Sequence, residues 1–356
     1  MENQENFEQI FVDEQDMQEE PDKKSTWPKK IIVLTLVGLL VFSISNSSNS
    51  KTNSVDEYKS IIARSKTDFF ENFSAGQVYS NVNIYFDETI LPEERIRVQK
   101  NIDLALEYMH VPLSAKTVDL RIFDDYDALE KDMFENIPDG MIETVTYDLS
   151  PKGVFGNNPK CDVPGSVGAT YDEGWIRPRI FILTECGWEQ DENDVWQLTD
   201  PDVVAHELAH VAQDGWFNSD FYTWSCFVPK WFSEGQPQFV SAQIATLDSD
   251  FDYKYFRSLW IYWEPDGNVE EDEDYESSFG PYSDGAFAFE YLVGKYGWKK
   301  IETLVTKLNI FPVYECGTKD IHERFKKAFK TTYGISLSRF YEDVKPYIKW
   351  NIKNLE

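Results

Sequence analysis

The pattern of apolar and polar positions changes character along the chain. Asn81 to Phe86 and Val118 to Phe123 alternate with period two, and each run predicts a strand. Pro92 to Met109 repeats its apolar residues at helical spacing, and Tyr126 to Phe134 predicts a second helix. Ile176 to Thr184 is a third candidate strand. Its Pro178 suits an edge position, because proline has no N–H for a ladder. Such an edge can pair with an extended peptide, or it can be ordinary sheet. From about Leu198 onward the spacing is mostly helical, and no internal repeat is present.

The best-punctuated helix is predicted over 200–215. Thr199 or Asp200 can cap its start, Pro201 suits the first helical position, and Gly215 suits the stop. Val204, Leu208 and Val211 make an apolar face. His206 and His210 lie one turn apart on a neighbouring face, so their imidazoles can converge on one ion. Glu207 follows the first histidine directly and can reach a water beside that ion. Zinc favours imidazole nitrogen, and a catalytic zinc site takes three protein ligands and leaves one position open. The structural alternative is a helix with two polar surface histidines. The chain has 4 histidines, and two of them fall here.

A third ligand has to come from elsewhere. Trp231 to Val240 places Glu234 among bulky apolar residues near a helix start, where a carboxylate is costly unless paired or bound to metal. Asp214, one turn past His210, and His322, in a charged helix, are the other candidates. Gln213 and Trp216 occupy the positions that a longer three-histidine zinc motif would need, which excludes that class. Pro237 is tolerable if its helix starts near Ser233 or Glu234, where the first N–H groups need no partner.

Composition narrows the partners. With 356 residues and 42% hydrophobic positions, the chain can bury a large core. A net charge of -29 without a basic face argues against nucleic acid. It equally disfavours docking of the folded part on anionic lipid. Residues 1–28 read as an acidic, disordered cytoplasmic tail that ends in a lysine-rich collar. Ile31 to Ile44 is uncharged and nearly all apolar. It predicts a transmembrane signal anchor over 29–46, with the N-terminus cytoplasmic and the rest extracellular. Residues 47–55 read as a Ser/Asn-rich linker, and 56–356 as the folded domain. Cys161, Cys186, Cys226 and Cys316 all follow the anchor. Two disulfides are therefore expected, with three possible connectivities; Cys161–Cys186 and Cys226–Cys316 is the pairing chosen. Residues 267–278 form an acidic loop, expected to be solvated or to overhang a cleft.

His206-Glu207-x-x-His210 followed by Trp231-Phe232-Ser233-Glu234-Gly235 resembles the gluzincin metallopeptidases, in particular their peptidase-MA-like and aminopeptidase N-like catalytic domains. Gly280 to Leu292, with Tyr282, Gly285 and Ala286, looks like that family's Tyr-x-x-Gly-Ala helix. The segment Phe329 to Tyr347 is similar to its closing helix. The resemblance spans roughly residues 75–350. It implies an α+β, thermolysin-like domain, with a small mixed sheet preceding a mostly helical part. It also implies one Zn2+ per chain on His206, His210 and Glu234. Glu207 would be the general base and Tyr282 the oxyanion donor, and the substrate would be a peptide or protein. No Gly-Ala-Met-Glu-Asn-like segment precedes the helix, and Gly165 to Thr170 offers no carboxylate in its place. An endopeptidase is therefore expected rather than an exopeptidase. The reading from another class is a non-catalytic gluzincin-like binding or scaffold domain with a bound zinc.

Overall fold

The computed structural model describes residues 52–73, 82–108, 118–123, 128, 129, 131, 132, 165–171, 179–186, 200–217, 228–247, 252–262, 265–269, 280–308 and 319–355. Contacts divide the chain into two units, Met1–Ser54 and Val55–Glu356. Helix α1 (Thr52–Phe73) starts inside the stretch expected to be linker, and its residues from Val55 onward belong to the second unit. Ile61, Ser65 and Phe69 are spaced by four residues and form the buried face of α1.

Strand β1 (Val82–Phe86), helix α2 (Pro92–Tyr108) and strand β2 (Val118–Phe123) form a parallel unit, with Val82 opposite Val118 and Phe86 opposite Ile122. The link between β1 and β2 is helical because parallel neighbours need a long crossover. Strands β3 (Gly165–Tyr171) and β4 (Arg179–Cys186) complete a four-stranded sheet of order β1-β2-β4-β3. β4 pairs parallel with β2 and antiparallel with β3. The strand expected at the sheet edge is thus an inner one. It starts at Arg179, one residue past Pro178, so the missing proline N–H takes no part in its ladder. β3, which was not anticipated, holds that edge.

Helices α3 (Asp200–Phe217), α4 (Lys230–Ala245), α5 (Tyr253–Tyr262), α6 (Gly280–Tyr296), α7 (Trp298–Leu308), α8 (Lys319–Tyr333) and α9 (Leu337–Leu355) make up the rest of the described chain. Every residue of α4 is buried. α4 lies between α3 and α6, and α2 also packs on it. Phe69, Trp298, Phe239 and Phe289 meet edge-on or tilted around the later part of α4. Near its start Trp231 stacks on Phe340 and donates its indole N–H to Tyr341 Oη at 2.9 Å.

Two expectations are corrected. The thermolysin-like α+β domain preceded by a transmembrane helix is overturned. Helices dominate the described residues: the parallel pair β1–β2 is joined through α2, and every described element after β4 is a helix. No helix among the described residues is long and apolar enough to cross a membrane. That finding also overturns the single-pass, extracellular placement. The stretch that suggested it, Ile31 to Ile44, would span about 21 Å as a helix, against roughly 30 Å of bilayer hydrocarbon. Residues 1–46 lie outside the described residues, as do Cys161, Cys226, Cys316, Thr199 and most of the acidic loop. Of the helix expected over 126–134, Ala128, Leu129, Lys131 and Asp132 are described, and they are helical.

Candidate metal centre

Three helices meet at the site. α3 supplies His206, Glu207 and His210, α4 supplies Glu234, and α6 supplies Tyr282. α3 forms where expected and runs two residues past Gly215. Its apolar side, with Val204, Ala205, Leu208, Ala209 and Ala212, is buried, which turns His206 and Glu207 inward as well.

One imidazole nitrogen from each histidine and one carboxylate oxygen of Glu234 lie within 4.8 Å of one another. His206 Nε2 and His210 Nε2 are 3.1 Å apart. Glu234 Oε2 is 3.6 Å from the first and 3.2 Å from the second. Ligands about 2.1 Å from a tetrahedral zinc are separated by roughly 3.4 Å, so these three edges match one face of such a tetrahedron. The group can hold a metal ion. Burial alone would push the Glu234 carboxyl up, but His210 and His206 outweigh it and hold the carboxyl well below the usual range. Lys230, on the same helix, places Nζ 3.8 Å from Glu234 Oε1. Burial lowers its ammonium to about 8, with Glu234 opposing that shift.

Glu207 is buried on α3, on the neighbouring position to His206. The Tyr282 ring stacks beside His206, with centroids 5.9 Å apart and planes at 25°. Its hydroxyl hydrogen-bonds Glu234. The charge of Glu234, then burial, then Glu207 push the phenol well above its ordinary value, so Tyr282 stays a donor.

Tyr282 reaches the site because α4 and α6 cross at contact distance. A Cβ on Gly235 would lie 2.3 Å from the backbone carbon of Gly285, and one on Gly285 would lie 2.6 Å from the Trp231 carbonyl oxygen. Asp284, buried on α6, accepts from the backbone N–H groups of Asp266 and Gly267 and pins the preceding loop to the start of α6.

Pro237 did not meet the condition set for it, because α4 begins at Lys230 and the proline sits well inside. A proline there leaves the carbonyl four residues earlier, that of Ser233, without its helical N–H. Gln213 of α3 fills the gap, donating from Nε2 to Ser233 O at 3.3 Å and to Gln236 Oε1 at 2.7 Å. Gln213 had figured only in excluding the longer histidine motif. Its place three residues after His210, on the same helical face, was the available signal. Asp214 lies in α3 and His322 in α8, but their side chains are outside the description. Neither belongs to the cluster found among the described residues.

Comparison of the chain with protein-family models, with curated proteins and with solved structures returns no match. The functional reading therefore rests on the geometry of this site.

Proposed function

We propose that the protein is a zinc-dependent peptidase, acting on internal peptide bonds, with its centre at His206, His210 and Glu234. One observation carries this reading. Glu207 and Tyr282, an acid–base group and a hydroxyl donor, flank the cluster from two different helices. A purely structural site needs neither. Zinc bound there would supply Lewis acidity, acidifying water and polarising a carbonyl.

The chain's own residues divide the remaining work. The Glu207 carboxylate takes a proton from the attacking water as the new C–O bond forms. It returns the proton to the leaving nitrogen as the C–N bond breaks. The Tyr282 hydroxyl donates to the oxyanion that develops on the former carbonyl. A peptide, rather than another ester or amide, is favoured by β3. Among the described strands it holds the edge of the sheet, it packs against α3, and an edge of this kind can pair with an extended chain.

The test measures bound zinc together with hydrolysis of internally quenched and free-amine peptides, by the wild type and by Glu207→Gln. Both proteins are expected to hold zinc. The wild type alone should cleave the internally quenched set, with the variant about 10²- to 10⁴-fold slower. Zinc in a wild type that cleaves nothing would turn the reading to a binding or scaffold domain.

A further inference from the structure

His210 has a second polar contact, and it faces away from the cluster. Its Nδ1 lies 3.0 Å from Gln213 Oε1. Which end of the Gln213 amide faces the ring is settled by the other contacts of that amide. Its nitrogen meets the Ser233 carbonyl, which can only accept, and Gln236 Oε1 at 2.7 Å. The oxygen is therefore left for His210, and an amide oxygen can only accept. Both glutamines are fully enclosed, at 0% and 1% exposure, so water does not compete for these groups.

We infer that Gln213 is a positioning residue that fixes the proton of neutral His210 on Nδ1. Nε2 then presents its lone pair to the cluster with His206 and Glu234. This rests on reading the cluster as a metal centre. The arrangement links three features that the sequence leaves separate. Pro237 deprives the Ser233 carbonyl of its helical donor, and that carbonyl receives the Gln213 amide. The anchored amide aims its oxygen at His210 Nδ1 and thereby sets which nitrogen of the ring is the ligand. The same contacts tie α3, which bears the two histidines, to α4, which bears Glu234. One side chain thus sets both the tautomer and the spacing of the donor set.

The protein's 4 histidines make the tautomer directly readable. Long-range proton–nitrogen correlation spectra of histidine-labelled, metal-free protein would be recorded with the rings neutral and with Glu234→Ala in every sample, because the Glu234 carboxylate, 3.2 Å from His210 Nε2, otherwise competes for the ring proton from the opposite side. Gln213, Gln213→Leu and Gln213→Glu would be compared on that background, and zinc affinity measured on the same three with Glu234 intact, by competition with a chelator. With Gln213 in place, His210 is expected to show a protonated Nδ1 and a bare Nε2. Gln213→Leu should move the proton toward Nε2 and weaken zinc binding about 10- to 100-fold. Gln213→Glu, which keeps an acceptor, should restore the Nδ1 proton. A His210 protonated on Nε2 with Gln213 in place would overturn the inference whatever the variants do. So would a folded Gln213→Leu with wild-type tautomer and affinity. If that variant fails to fold, Gln236→Leu removes the anchor of Gln213 without touching the ring, and it should shift the tautomer the same way. The tautomer is read without metal or turnover, so failure of the peptidase reading leaves this result distinct.

Discussion

Replacing Gly235 by alanine tests whether the crossing of α4 and α6 holds the site together. The new Cβ would sit 2.3, 2.4 and 2.7 Å from the C, O and Cα atoms of Gly285. Carbon atoms prefer about 3.5–4.0 Å, so the overlap exceeds roughly 1 Å, and the obstacle is backbone that cannot change rotamer. Overpacking of this kind costs about 1–3 kcal/mol, and a backbone obstacle places it near 3. Alanine returns about 1 kcal/mol of helix propensity, which leaves a net loss near ~2 kcal/mol. The helices must also separate, drawing Tyr282 away from Glu234, so zinc affinity should fall along with stability. Gly334→Ala is the matched control. Its φ is +76° with nothing within 4 Å, so it should lose about 1–2 kcal/mol to backbone conformation while zinc affinity stays unchanged. Urea unfolding followed by tryptophan fluorescence reads the stability, since Trp231, Trp260 and Trp298 are fully buried. The double variant Gly235→Ala/Gly285→Ala should lose less than the sum of the singles, because one separation relieves both clashes. A Gly235→Ala protein within about 0.5 kcal/mol of wild type, with unchanged zinc affinity, would refute the reasoning.

Three further outcomes are expected. Glu290 is wholly buried on α6, where it accepts from Tyr253 Oη at 2.7 Å and pairs with Arg257 Nε at 3.0 Å, so Glu290→Ala should cost about 3–5 kcal/mol in chemical unfolding by stranding the buried guanidinium. Combining it with Arg257→Met should recover part of that loss. Burial first, with nearby Glu290 adding for Tyr253 and Tyr347 and nearby Tyr296 for Tyr333, raises all three phenols well above their ordinary value. Their contribution is therefore complete below pH about 10 and lost as pH rises beyond it, by up to ~4 kcal/mol per pH unit for the three together, which unfolding free energies taken on both sides of pH 10 would measure. Finally, free zinc at one hundred times its dissociation constant should stabilise the metal-free protein by about 2.7 kcal/mol in thermal melts, and Glu234→Gln should abolish most of that gain.

Helix α3 was legible because its information is local: a period of 3.6 that puts His206 and His210 on one side, although the helix runs past the stop expected at Gly215. β1, α2 and β2 were legible for the same reason, since their burial patterns follow the period of their own residues. β3 was not. Gly165 to Tyr171 carries little alternation, and its strand character comes from pairing with β4. The edge assigned to β4 failed because neighbours in a sheet are chosen by the whole topology, not by one proline beside the strand. The membrane anchor follows from a short apolar run behind a lysine-rich collar, and no described helix supports it.

The sequence by itself determined which side chains could do chemistry: two imidazoles one turn apart, a carboxylate beside them and a second carboxylate in an apolar helix. Tertiary structure decided that these groups meet. The distance from Glu234 to His210, the reach of Tyr282 across the Gly235–Gly285 crossing and the turn of the Gln213 amide toward His210 depend on how three helices pack. Helical periodicity specifies which face a residue occupies, whereas the contact between faces depends on side-chain volumes and unpaired backbone groups on separate elements. Pro237 shows the difference. Within its own helix it is a defect, and only against α3 does the carbonyl it frees become the anchor that orients a ligand.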